Sequence, residues 1–181
     1  MSKAPRRNDP DRRERILQAT LDMLVEHGIS HITHRKIADA ADVSLGSMTY
    51  YFDGIESLLS EAFTQFAYQM SGDYRARMEQ ARDRDEACEA IVDMICGEKI
   101  ATSYNMQVMY QLYAYANRNP ELKIIMQDWM CRSQQVLEAF FDPITARALD
   151  AFIEGMTLHY VTDRNPLSRE DLRRMLAKIV G

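Results

Sequence analysis

The chain has 181 residues, a formal net charge of −5, 46% hydrophobic and 27% charged residues, and only 7 glycines and 5 prolines. That profile excludes collagen-like and low-complexity chains and fits a globular protein able to bury a core. No apolar run approaches the roughly 18 residues a spanning helix needs, and the opening Met1-Ser2-Lys3-Ala4-Pro5-Arg6-Arg7 leads into charge, so the expectation is a cytoplasmic protein with no membrane partner. The acidic average hides an asymmetry. Residues 1–15 carry six basic groups against three acidic ones, residues 1–52 sum to +1 and the remainder to −6, so phosphate can approach the front of the chain but not the back.

Strand signals are nearly absent, and helix signals recur from end to end. Caps, stops and the 3.6-residue period predict helices near 10–27, 34–41, 45–51, 54–80, 85–99, 105–117, 120–141, 143–162 and 168–179, an all-α chain. Asp9-Pro10, Asn119-Pro120 and Asp142-Pro143 each set an N-capping side chain before proline, and Gly28 closes the first helix. Asp53-Gly54-Ile55-Glu56 and Ser168-Arg169-Glu170-Asp171 have the shape of capping boxes. On the first helix, Leu17, Leu21 and Leu24 line one face, with Ile16, Thr20 and Met23 beside them.

The most informative stretch is 33–52. It holds two very short helices capped by Thr33 and Ser44 and separated by a turn at Asp42-Val43-Ser44, with Ile37, Ala38, Val43, Met48 and Phe52 facing inward. The small Ala38 and Ala41 let the two helices cross closely, as a helix-turn-helix requires if its second helix is to enter a major groove. Gly46 has no side chain to hold the backbone off DNA. Ser44, Ser47 and Thr49 are short donors and acceptors, and Tyr50 and Tyr51 offer hydroxyls to the sugar-phosphate backbone. With no Arg, Lys, Asn or Gln in 44–51, strong base readout has to come from elsewhere, and Arg35 is the candidate for guanine. Thr33 and Leu45 complete the expected contact set, and Arg6, Arg7 and Arg12 of the N-terminal arm can add phosphate or minor-groove contacts. His27, His31 and His34 are interrupted by cap signals, so no metal site is expected.

From Arg12 to Leu59 this stretch resembles the TetR family of bacterial transcriptional regulators and is similar to its RcdA-type branch. The resemblance rests on a first helix ending in Gly28, on Thr33, Arg35, Ile37 and Ala38, on Val43-Ser44, Gly46 and Tyr50-Tyr51-Phe52, and on Leu58-Leu59. It implies a three-helix DNA-binding domain over 1–53 and a helical effector-binding and dimerisation domain over 54–181. Further implications are a double-stranded DNA operator and a small-molecule effector as partners, a homodimer, and no cofactor. Two positions depart from the pattern. Asp42 stands where a glycine often closes the second helix, and Ile55 where a phosphate-contacting lysine is frequent, which leaves backbone N–H groups as the substitute.

In the larger body, Met106, Met109, Tyr110, Tyr113, Met126 and Trp129 could line an adaptable pocket, although such side chains more often form core. The resemblance supplies the pocket, with walls expected from 54–80, 105–117 and 120–141. Ala148, Ala151, Phe152, Gly155, Met156 and His159 recur at three- and four-residue spacing, the small-and-large face of a close helix pair. Family resemblance assigns that face to the dimer; the alternative is an internal core stripe. Cys88, Cys96 and Cys131 fit no zinc or redox pattern and read as buried free thiols, and His159 reads as a packed polar group. The resulting expectation is a ligand-responsive repressor. Rivals are an activator or dual regulator of the same fold, a nonspecific architectural DNA binder, and an all-α enzyme using Cys96 or His159, which lacks any paired acid and base.

Overall fold

In the computed structural model residues 9–181 are described, so Arg6 and Arg7 lie outside the described part. Secondary structure there is entirely helical, and the chain divides into two compact units, 1–65 and 66–181. The division falls inside a long helix.

The first unit contains α1 (Arg12–His27), a 3₁₀ turn (Ile29–His31), α2 (His34–Ala40), α3 (Leu45–Tyr51) and the first part of α4 (Ile55–Met78). Ile16, Leu17, Thr20, Leu21, Met23 and Leu24 are all buried, and the Thr20 hydroxyl donates to the Ile16 carbonyl at 2.8 Å. Helix α1 is preceded by Asp11 rather than Asp9, whose carboxylate instead accepts from Arg15 at 2.6 Å. Gly28 adopts φ 72° and donates its N–H to Leu24, ending α1 as expected.

Thr33 and Ser44 cap α2 and α3, their hydroxyls accepting from the N–H groups of Lys36 (3.3 Å) and Ser47 (3.2 Å). Between them, Asp42 sits at φ 52°, the one non-glycine with positive φ among the described residues. Asp42 N–H donates to Asp39 C=O (3.3 Å) and Val43 N–H to Ala38 C=O (3.0 Å), the reciprocal pair of a Schellman cap. Ile37, Ala38, Ala41, Met48 and Phe52 are buried and Val43 is half-buried, so the two short helices cross over small residues. The first turn of α4 begins with Leu58 N–H on Gly54 C=O, which places the cap one residue later than the Asp53 box predicts.

The second unit adds α5 (Arg84–Cys96), α6 (Ser103–Ala116), α7 (Pro120–Leu137), α8 (Pro143–Thr162) and α9 (Arg169–Val180). Asn119 and Asp142 cap α7 and α8 with proline following, and Ser168 and Asp171 form a complete capping box on α9. Helix α8 packs against α5, α7 and α9, around a core that includes Met78, Ile91, Ile95, Leu137, Leu149 and Leu172. Charged pairs brace its surface: Asp93 accepts from both Arg77 and Arg169, and Arg173 grips Glu89 in a two-pronged contact at 2.6 and 2.9 Å. Helix α5 stops at Cys96, before Gly97, and α7 stops at Leu137, both shorter than the periodicity implies.

Candidate nucleic-acid interface and ligand cavity

Helix α3 presents a polar tip. Its buried side is Met48; its outer side carries Leu45, half of it exposed (52%), and Tyr50, 81% exposed. The Tyr50 ring meets the half-buried Tyr51 ring edge-on at 5.0 Å, which orients both phenols. Ser44 and Ser47 hydroxyls lie 3.0 Å apart, and the Thr49 hydroxyl donates to Gly46 C=O at 3.2 Å. At Gly46 an added Cβ would meet only Ser44 Oγ, at 3.8 Å, so the outward surface of the backbone is open to a close partner. Ser44, Gly46, Ser47, Tyr50 and Tyr51, together with Asp9 and Arg12, border a polar hollow of about 470 Å³. Thr33 and Arg35 are exposed at the start of α2, and neighbouring Lys36 donates to the His31 carbonyl at 3.1 Å.

A second hollow lies wholly within the 66–181 unit. It encloses about 80 Å³. Helix α4 contributes Met70 and Tyr74, and α6 contributes Met106, Met109 and Tyr113. Met126, Trp129, Met130 and Ser133 of α7 face the same space. Five of the six residues singled out in the sequence are therefore brought together on one wall. Tyr110 is not among them: it lies one turn from Met106 on the same face of α6, but it is 44% exposed and falls outside the lining.

Helix α8 completes this wall with Asp150, Ile153, Glu154 and Thr157, a contribution the sequence reading missed. Two carboxylates one turn apart on α8 were the available signal. Gln134 donates to Asp150 at 3.0 Å, and the Tyr113 hydroxyl donates to Glu154. Burial pushes the Asp150 carboxyl above its ordinary range, only partly opposed by the Gln134 bond. Burial, and for Tyr113 the Glu154 contact, raises the phenols of Tyr74 and Tyr113, so both remain protonated.

The opposite side of α8 is bare in the single chain. Ala148, Ala151 and His159 are exposed, Gly155 is half-buried with open space where a Cβ would stand, and Ile144 is 80% exposed. Phe152 and Met156, expected on the same face, instead pack against the core of the unit. His159 is exposed, 3.7 Å from Asp163, rather than packed. Nor are the thiols buried as expected. Cys131 is exposed, Cys88 and Cys96 are half-buried, and burial raises the thiol pKa of both of the latter, the reverse of an activated nucleophile.

Comparison with known proteins matches residues 16–62 to bacterial regulatory proteins of the tetR family and residues 82–181 to the tetracyclin repressor-like C-terminal domain. The crystal structure of SCO7518 from Streptomyces coelicolor A3(2), described as a transcriptional regulator, is 44% identical, covers 94% of this chain and 99% of its own, and superposes with a TM-score of 0.86. Multidrug binding protein EbrR, solved with ethidium, is 28% identical over 96% of this chain and 100% of its own, with a TM-score of 0.75. The transcriptional regulator BetI 1 of Chromohalobacter salexigens is 33% identical over 159 residues, covering 82% of this chain and 78% of its own.

Proposed function

Because this chain belongs to the TetR family of helix-turn-helix transcriptional regulators, we propose that it is a ligand-responsive repressor acting as a homodimer on a palindromic operator in the cytoplasm. The observation that carries the reading is a pairing within one chain: an exposed polar tip on α3, and a largely apolar cavity whose wall includes α4, the helix that begins just after α3.

In this reading α3 enters the major groove, with Gly46 allowing close approach and Ser44, Ser47 and Thr49 meeting phosphate or base edges. Tyr50 and Tyr51 bind the backbone, Thr33 and Leu45 flank the tip, and Arg35 reads guanine. Two copies, held together through the bare side of α8, set their recognition helices about one turn apart, ~34–36 Å. An effector in the cavity has a different affinity for the DNA-bound and released states, and α4 is the element both events share. Likeness to EbrR, which is solved with ethidium, supports the effector role of the cavity.

The test is to select bound fragments from genomic DNA and measure affinity by anisotropy at several salt concentrations. Arg35→Ala and Tyr50→Phe are expected to weaken the selected sequence, Arg35→Ala with loss of discrimination and Tyr50→Phe uniformly across sequences. Intact specific binding in both variants overturns the residue assignment, and binding without sequence preference overturns the repressor reading in favour of an architectural one.

A further inference from the structure

The cavity of the second unit carries negative charge with no basic side chain on its lining. Asp150 and Glu154 both face it, and their hydrogen-bond partners, Gln134 and Tyr113, are neutral. Arg147, the cation acting on Asp150, is exposed on the same helix and is not part of the wall. Asp150 is half-buried, whereas Glu154 is exposed and adds its charge to the same lining. A carboxylate withdrawn from water without a counter-charge on the wall is costly, and the cost is offset when a cation enters beside it.

Two further groups are left waiting. The Tyr74 hydroxyl (residue 8% exposed) and the Thr157 hydroxyl (3% exposed) are buried with no hydrogen-bond partner, and both residues line this cavity. Buried hydroxyls normally find partners, so a pair of orphans facing one hollow marks the place of a ligand's polar group. The rest of the wall suits an apolar body. Trp129, held edge-on against Phe66 at 6.2 Å, and Tyr113 bring aromatic rings to the lining, where a ring can attract a cation, while Met70, Met106 and Met126 are flexible enough to enlarge a space of about 80 Å³.

We propose that this cavity takes an organic cation with an aromatic body, its charge set against Asp150 and Glu154 and its polar group reaching Tyr74 and Thr157. This rests on the cavity being the effector site and names the chemical class that site accepts. Anions find no basic group on the lining, and a neutral body of the same shape leaves the half-buried Asp150 without a counter-charge.

A charge-matched series tests it on the full chain without DNA: 1-naphthylmethylammonium, 1-naphthylmethanol and 1-naphthoate, with affinities from calorimetry. The cation is expected to bind at least about 10-fold more tightly than the alcohol, with naphthoate weakest. Asp150→Asn and Glu154→Gln are each expected to cost the cation about 10-fold and to leave the alcohol unchanged. Thermal melts identify any variant that fails to fold, and the two near-isosteric changes serve as independent replicates. Equal affinity for alcohol and cation, preference for naphthoate, no detectable binding of the cation, or indifference of the cation to both substitutions overturns the proposal. A cation that binds with this dependence yet leaves an operator complex intact supports it while breaking the ligand-responsive reading.

Discussion

The two units encode their working surfaces over different distances in sequence. In the first, the tip of α3 is set by residues within a few positions of it: Ser44 caps it, Met48 buries its inner side, and Asp42 turns the chain into it. In the second, the cavity draws side chains from α4, α6, α7 and α8, elements spread from Met70 to Thr157. A locally specified surface is readable from spacing and capping chemistry. An assembled one depends on which face of each helix packs inward, and apolar periodicity alone does not decide that.

The sharpest way to break this comparison is at the bare side of α8, where the second unit is expected to govern the first. Gly155→Arg introduces a side chain into space that is open in the single chain, so the fold tolerates it and only the pairing of copies suffers. Sedimentation should show a monomer, and operator affinity should fall by at least about 100-fold as two half-site contacts become one. A variant that remains dimeric with full operator affinity moves the dimer contact elsewhere. Met48→Ala comes next. It empties a fully buried position between α3 and the rest of its unit, and a loss of about 2–5 kcal/mol is expected in denaturant unfolding.

Several particular residues show what was legible. Thr33, Ser44, Asn119, Asp142 and Ser168 cap the helices that the sequence places after them, because a capping side chain acts on N–H groups two or three residues away. Asp9 fails as a cap because its carboxylate is taken by Arg15, an interaction that spacing to proline does not reveal. The 120–141 prediction overran because Phe141 is buried after the helix has ended, so apolar periodicity continues through a turn. Helix α8 was legible as an apolar helix but not as one with a cavity-lining side as well as a bare one: Asp150 and Glu154 on the cavity side, Ala148 and Ala151 on the other.

Within the second unit two carboxylates sharpen the contrast between structural and binding charge. Burial pushes Asp93 up, but the guanidiniums of Arg169 and Arg77 prevail and hold it below the ordinary carboxylate range. Its stabilisation is therefore complete above the unfolded carboxyl pKa of about 4 and is lost as pH falls through the lower folded value. Asp93→Asn should lower the melting temperature at pH 7, with the difference shrinking as pH falls below about 4. Asp150 has the opposite sign. Its folded pKa is raised, so its burden grows as pH rises through that value, and Asp150→Asn should raise the melting temperature at pH 7 while weakening ligand binding.

The smallest effects are expected at Asp42, where one residue touches both fold and function. At φ 52° it occupies the left-handed region, where glycine carries no Cβ penalty, and it places a negative charge at the turn leading into α3. Asp42→Gly removes strain and charge together; Asp42→Asn removes the charge and keeps a side chain tolerant of that geometry. Both variants should bind operator a few-fold more tightly at low salt, and the gain should shrink as salt rises, because it arises from exposed charge. Glycine alone should add about 0.5–1 kcal/mol of stability. If Asp42→Asn leaves affinity unchanged at low salt while Asp42→Gly raises it, the turn acts on DNA through backbone geometry, and the carboxylate lies too far from phosphate to matter.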